Sequence, residues 1–168
     1  VGEVATAMSI QERIKAAVLT PLLTLTGRFI GFPTTFLNAM GSIGQSHQEW
    51  KKTNEQRLQL AARLQGTLDE YDIILMPVAP TTAIPHNQKG DVPLRNIQVN
   101  GEKRNYTELF PWISFATILG LPATSAPVAI TEEGLPMNLQ IVSGKFKDKE
   151  TIQFAKLLHA EVGNIAPK

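Results

Sequence analysis

The chain has no cysteine. A disulfide framework, a cysteine nucleophile and thiolate zinc sites are therefore excluded, and a reduced, cytoplasmic compartment is the expectation. Charge is also scarce. Sixteen basic and 15 acidic side chains among 168 residues leave a net charge of +1. A broad nucleic-acid surface needs an excess of Lys and Arg, so no nucleic-acid partner is expected. Aromatics make up only 7% of the chain, and the core must come from the aliphatic part of its 43% hydrophobic content. Uninterrupted apolar runs are missing too. Leu109 to Thr131 carries no charge, but Pro111, Pro122 and Pro127 break it. Each proline frees backbone groups that lipid cannot satisfy, so neither a membrane span nor a membrane partner is expected. No basic-then-apolar leader opens the chain.

What is present reads as alternating helices and strands. Ser9-Ile10-Gln11-Glu12 and Ser46-His47-Gln48-Glu49 both place Ser three residues before Glu. The two side chains can satisfy each other's orphan backbone N–H groups as a capping box. The first predicted helix shows Ile10, Ile14, Ala17 and Val18 on one face and stops or kinks at Pro21. The second runs to about Glu70 with Leu58, Ala61, Leu64 and Leu68 as its apolar stripe. Gly27 to Gln45 is expected to be a loop-rich connector. The reading thus sets residues 1–45, a helix and connector, apart from 46–168.

Asp72-Ile73-Ile74-Leu75-Met76, closed by Pro77, reads as a strand buried on both faces. Pro77 to Leu94 reads as a long loop. Asn100-Gly101 is the strongest short hairpin signal. Thr107–Leu119 is expected to be a helix with Pro111 in its first turn and Gly120 as its stop. Two apolar strands, Ala123–Ile130 and Met137–Val142, are joined by Thr131–Pro136 and should pair antiparallel. Asp148 is expected to cap a last helix that buries Ile152, Ala155, Leu158 and Val162 and ends at Gly163. The fold class is α/β, a mixed sheet flanked by helices.

Catalytic motifs are scarce. His47, His86 and His159 show no metal-binding spacing, and no metal or cofactor is expected. There is no Gly-x-Ser-x-Gly elbow, Walker loop or dinucleotide fingerprint. Gly41-Ser42-Ile43-Gly44 reads as loop. Ser143-Gly144-Lys145 sets a serine near a lysine, but at a strand end that offers little desolvation. Asp69, Glu70 and Asp72, like Glu132 and Glu133, read as solvated turn residues. Asn105-Tyr106-Thr107 matches a glycosylation sequon by chance.

Four blocks and a turn change this picture. Gly-Leu-Pro-Ala-Thr-Ser-Ala-Pro (120–127) and Glu-Glu-Gly-Leu-Pro-Met-Asn-Leu-Gln-Ile-Val-Ser-Gly (132–144) resemble the C-terminal part of the amidase signature family. Glu70-Tyr71-Asp72-Ile73-Ile74-Leu75-Met76-Pro77-Val78-Ala79-Pro80-Thr81 resembles the strand and Pro-rich loop that precede them. Ser46-His47-Gln48-Glu49-Trp50 and the turn at Val99-Asn100-Gly101 are similar to bacterial members. The resemblance runs from about residue 46 to 163.

The resemblance implies a hydrolase of small-molecule amides. A serine attacks the carboxamide, a second serine on a cis peptide bond and a lysine relay the proton, and backbone N–H groups of a Gly/Ser-rich segment hold the oxyanion. No Gly-Gly-Ser-Ser-Gly-Gly-like segment occurs here, so no catalytic residue is carried over. Many members have Phe-Asn before the Gly-x-Pro-Ala block, where this chain has Ala116 and Thr117. By analogy with the family's pocket wall, Met76, Trp112, Phe115 and Thr117 are candidate lining residues, with plain core packing as the competing reading.

Three readings follow. The start at Val1 and the missing nucleophile segment lead to the expectation of a C-terminal amidase piece, inactive alone, whose partner is the N-terminal catalytic part of the same enzyme. Its open strand edges and apolar faces should then favour self-association. The alternative is a stand-alone binding or interaction module built on the same fold. The third is a hydrolase using Ser143 and Lys145.

Overall fold

A computed structural model describes Thr26, Leu37, Asn38, Ser42, residues 45–90 and residues 92–165. The first predicted helix, almost all of the expected connector and Gly41-Ser42-Ile43-Gly44 apart from Ser42 lie outside the described residues. Among them, α1 spans His47–Glu70, β1 Ile74–Pro77, β2 Asn96–Val99, β3 Glu102–Asn105, α2 Pro111–Leu119, β4 Ala123–Ile130, β5 Pro136–Val142 and α3 Asp148–Val162. The α/β class is as expected.

The chain divides into two compact units. The first comprises residues 1–56, 87–97 and 103–107. Here the capping box is complete. The Ser46 N–H donates to Glu49 Oε2 at 2.8 Å, and the Glu49 N–H donates to Ser46 Oγ at 3.2 Å. The His47 and Trp50 rings stack at 5.9 Å. Arg95 donates from Nε and Nη2 to the Gly90 carbonyl, at 3.2 and 3.0 Å. Asn105 Oδ1 accepts from the Thr107 N–H and hydroxyl at 2.9 and 2.6 Å. The sequon is therefore a side-chain-stabilised turn. The predicted hairpin forms from β2 and β3, and its tip, residues 98–102, is grouped with the second unit. Asn100 and Gly101 both take positive φ, 52° and 81°, as a tight primed turn demands.

The second unit comprises residues 57–86, 98–102 and 108–168. Its centre is a three-stranded sheet in the order β1-β5-β4, antiparallel throughout. Thr131–Leu135 turns the chain between β4 and β5: the Thr131 N–H donates to the Leu135 carbonyl, the Gly134 N–H to the Thr131 carbonyl, both at 2.9 Å. Ile141 and Val142 on the central strand are fully buried, and each such burial contributes about 1.5–3 kcal/mol. A bulge between Pro127 and Ala129 breaks the register on β4. An outer strand is where a proline without an N–H is tolerated.

Several expectations need correction. Among the described residues β1 is an outer strand, alternating half-buried and exposed, rather than a strand buried on both faces. A short apolar run alone does not distinguish a central strand from an outer one. The segment 107–119 is a 3₁₀ turn, Tyr106–Leu109, followed by α2 starting at Pro111. Proline at this first position has no N–H to lose, so the helix begins there. Gly120 ends it at φ 65°, with its N–H and that of Leu121 turned back onto the last turn.

The packed face of α1 is Asn54, Arg57, Ala61, Leu64 and Leu68, and Leu58 lies outside it, exposed. Arg57 reaches the Ile118 carbonyl at 3.1 Å. Lys147, not Asp148, holds the cap position of α3 and makes no side-chain cap. Asp148 instead sits in the first turn, where a carboxylate is favoured by the helix dipole. The packed face of α3 is Thr151, Phe154, Ala155 and Leu158, while Ile152 and Val162 are exposed. Both helices keep the 3.6-residue period but turn the stripe by about one position to admit a polar anchor.

No helix among the described residues is long and apolar enough to cross a membrane.

Candidate functional site

The two faces of the sheet differ in kind. Residues directly opposite one another on antiparallel strands project to the same side. Leu75, Ile141 and Thr124 form one such row, and the Thr124 hydroxyl meets Thr151 Oγ1 of α3 at 2.8 Å. Over β4 and β5 that side is covered by α3, while Leu75 on β1 stays exposed. Met76, Gln140 and Ser125 form the next row and therefore point to the other side. There the Gln140 Nε2 donates to the Trp112 carbonyl in the first turn of α2, at 3.2 Å. On β4 this side is open: Ala123, Ser125 and Pro127 are exposed.

The four expected lining residues fall as follows. Met76 is half-buried on the open-side row beside Gln140. Trp112 supplies the carbonyl that holds Gln140, and its side chain is largely exposed. Phe115 is half-buried and lies on the helix stripe with the buried Ala116 and Leu119. Thr117 is exposed, and its hydroxyl donates back to the Ile113 carbonyl at 3.1 Å. Met76 and Trp112 thus both meet at Gln140. The Thr117 hydroxyl serves its own helix.

Sequence reasoning does not single out Gln140 or Ser125. The one signal is a lone polar side chain in the run Leu139-Gln140-Ile141-Val142. A buried amide survives there only with a partner, and that partner, Trp112, is distant in the chain.

The Ser143–Lys145 pairing does not form a nucleophile. Ser143 is fully buried, and its hydroxyl faces the Asp72 carbonyl at 2.8 Å and Glu150 Oε2 at 3.2 Å. A hydroxyl has one proton, and two acceptors compete for it. The lysine that approaches Glu150 is Lys147, at 3.4 Å. Ser143 therefore ties the start of β1 to the first turn of α3, out of reach of any substrate. Its neighbour Thr151 donates to the Asp148 carbonyl at 2.8 Å.

Among the turn carboxylates, Glu133 is held below the ordinary carboxylate range by its own backbone N–H and by the Thr131 hydroxyl. It is fully exposed, so this is turn chemistry and not catalytic tuning. No group of three or more His, Asp or Glu side chains among the described residues could hold a metal ion.

Comparison with known proteins fits this fold and sheet. The Amidase family profile matches residues 6–152, and the chain belongs to that family, the amidase signature enzymes. The match begins well upstream of residue 46, where the resemblance of the sequence blocks starts. Fatty-acid amide hydrolase 2-A of Danio rerio is 30% identical over 139 residues, which cover 80% of this chain and 24% of that protein. A glutamyl-tRNA(Gln) amidotransferase protein of Zymomonas mobilis is 32% identical over 106 residues, covering 63% of this chain and 19% of the relative. The chain therefore spans about a quarter or less of these relatives. A crystal structure of an amidase superposes with a TM-score of 0.58 at 22% identity, over 88% of this chain and 32% of that one. A bacterial aryl acylamidase gives 0.55 at 18% identity, over 92% and 34%.

Proposed function

We propose that this chain is the sheet-and-wall part of an amide-cleaving enzyme, acting with a catalytic segment that lies outside these 168 residues. That segment would bring the nucleophilic serine, the second serine on a cis peptide bond and the lysine. The serine oxygen would bond to the substrate carbonyl carbon, the amine would leave with a proton relayed through the second serine and the lysine, and water would release the acid. The carrying observation is the Amidase match over residues 6–152 in a chain that spans only 24% of a fatty-acid amide hydrolase. The lack of a Gly/Ser-rich oxyanion segment in the sequence supports the same reading. The open row of Met76, Gln140 and Ser125 would face the substrate side, with Trp112 and Phe115 beside it.

The test is direct. The purified chain is given benzamide and acetamide, and ammonia is measured with and without a fluorophosphonate that blocks reactive serines. No release above buffer is expected. Release that the fluorophosphonate abolishes would overturn the proposal. The adjoining coding sequence should also carry the Gly/Ser-rich segment and the lysine. A stop codon and an initiator directly before this chain would favour a stand-alone binding module instead.

A further inference from the structure

Asn100 is the one asparagine in the chain that a glycine follows. The pair forms the whole loop between β2, which ends at Val99, and β3, which starts at Glu102. Both residues are exposed. Both hold positive φ, 52° and 81°, and a Cβ on residue 101 would meet nothing within 4 Å. Glycine stands there for its φ, with open space where a side chain would be. Three other asparagines have their amides engaged. Asn96 donates to the Leu94 carbonyl at 3.2 Å, Asn87 accepts from the Lys89 N–H at 3.1 Å, and Asn105 accepts from Thr107. Among the described residues the Asn100 amide makes no hydrogen bond. Its hairpin is also the smaller of the two sheets, two strands of four residues each. Such a pair is marginal by itself and opens locally before a larger sheet does.

We propose that Asn100 is a self-modification site, where the chain converts its own asparagine to aspartate and isoaspartate. The Gly101 backbone nitrogen gives its proton to a solvent base and bonds to Asn100 Cγ. The Cγ–Nδ2 bond breaks, the side-chain nitrogen leaves as ammonia, and a five-membered imide is closed. Water then opens the ring. Attack at Cγ gives aspartate, and attack at the Asn100 main-chain carbonyl carbon gives isoaspartate. No oxidant or reductant is needed. The nucleophile is the next residue's own nitrogen, glycine brings no side chain to crowd the ring, and solvent reaches the exposed turn. Closing the ring requires the Asn100 backbone to rotate, and local opening of the hairpin supplies that freedom. Isoaspartate routes the main chain through the side-chain carbons and lengthens a two-residue loop by one methylene. A loop of that length sets the register of its strands, so β2 and β3 lose their pairing. Both products also place a carboxylate next to Glu102, where like charges repel. This chemistry draws on the turn alone and not on the amide-cleaving reading above.

The full chain is aged in buffer at neutral and at mildly alkaline pH, digested, and mapped by mass spectrometry with electron-transfer fragmentation, which separates isoaspartate from aspartate. The Asn100 peptide should convert at least about tenfold faster than that of any other asparagine, which corresponds to about 1.4 kcal/mol in barrier. It should yield both products and convert faster at the higher pH, because the attacking nitrogen must lose its proton. Asn100→Gly keeps a residue suited to positive φ and removes the carboxamide, so it should fold and stay unconverted. Amide exchange in β2 and β3 should speed up in the aged chain and not in aged Asn100→Gly. The map of the unaltered chain carries the test if that variant does not fold. Faster conversion at another asparagine, aspartate without isoaspartate, a rate unchanged by pH, or unchanged hairpin exchange in the converted chain overturns the proposal.

Discussion

Thr124 on β4 and Thr151 on α3 share one hydrogen bond, 2.8 Å between hydroxyl oxygens, and its direction is fixed. Thr151 gives its single proton to the Asp148 carbonyl at 2.8 Å, so Thr124 is the donor to Thr151. Thr151 is 1% exposed, and this contact joins the helix to the sheet. Thr151→Val keeps the shape and removes the oxygen, which strands the Thr124 hydroxyl. The expected cost is about 1–3 kcal/mol, the usual penalty for a buried polar group left without a partner. Urea unfolding should show a lower midpoint with the same slope. Thr151→Ser should recover most of the loss.

Ser143 makes the second polar joint, to the Asp72 carbonyl and Glu150. Ser143→Ala should destabilise the chain by about 1–3 kcal/mol, read by the same unfolding measurement. Lys145→Ala should leave stability within about 0.5 kcal/mol, as for most surface substitutions. A fluorophosphonate probe should not label Ser143 in the folded chain, and mass spectrometry of the labelled peptide checks this. Labelling at Ser143 would reinstate it as a reactive serine.

The Ser46–Glu49 box predicts a pH response. The Ser46 backbone N–H and then its hydroxyl hold the Glu49 carboxyl below the ordinary carboxylate value. A carboxyl lowered in the folded state binds fewer protons there than in the unfolded state. Its contribution is therefore full above the unfolded pKa and is lost as pH falls through the lowered folded one. The start of α1 should fray on acidification, seen as loss of amide-exchange protection at Ser46 and Glu49. Ser46→Ala should return the Glu49 titration, followed by NMR, toward the ordinary range. An unmoved titration would rule out the Ser46 hydroxyl as a cause and leave the Ser46 backbone N–H, which the substitution keeps, as the one that lowers it.

The sheet ends in two outer strands, β1 and β4, among the described residues. Leu75 on β1 and Ile130 on β4 are exposed large apolar side chains. Unpaired edges of this kind template pairing with another chain. Light scattering should report a mass that rises with protein concentration. Leu75→Lys should lower it by placing a charge on the edge. A strict monomer at every concentration would remove the expectation of self-association.

The local devices of this protein were legible in its sequence, because each is written in adjacent residues. Ser46 and Glu49 close their box, Asn100-Gly101 turns the hairpin, Pro111 opens α2 and Gly120 closes it. The pairing of Ala123–Ile130 with the following strand is equally local, set by a short turn. The family was legible for a related reason, since its blocks are runs of neighbouring residues.

Placement in three dimensions was not legible. Whether Ile73-Ile74-Leu75-Met76 is central or outer depends on which strand lies beside it, and period alone carries no such information. The packed faces of α1 and α3 turned because Arg57 meets Ile118 and Thr151 meets Thr124, contacts between residues far apart in the chain. Gln140 gave only the hint of one polar residue in an apolar strand. What makes it a candidate site is the Trp112 carbonyl that holds its nitrogen and the Ser125 hydroxyl across the strand. Sequence determined the elements, their ends and the family. Tertiary structure alone decided which polar groups were satisfied, because hydrogen-bond partners are chosen by packing and not by order along the chain.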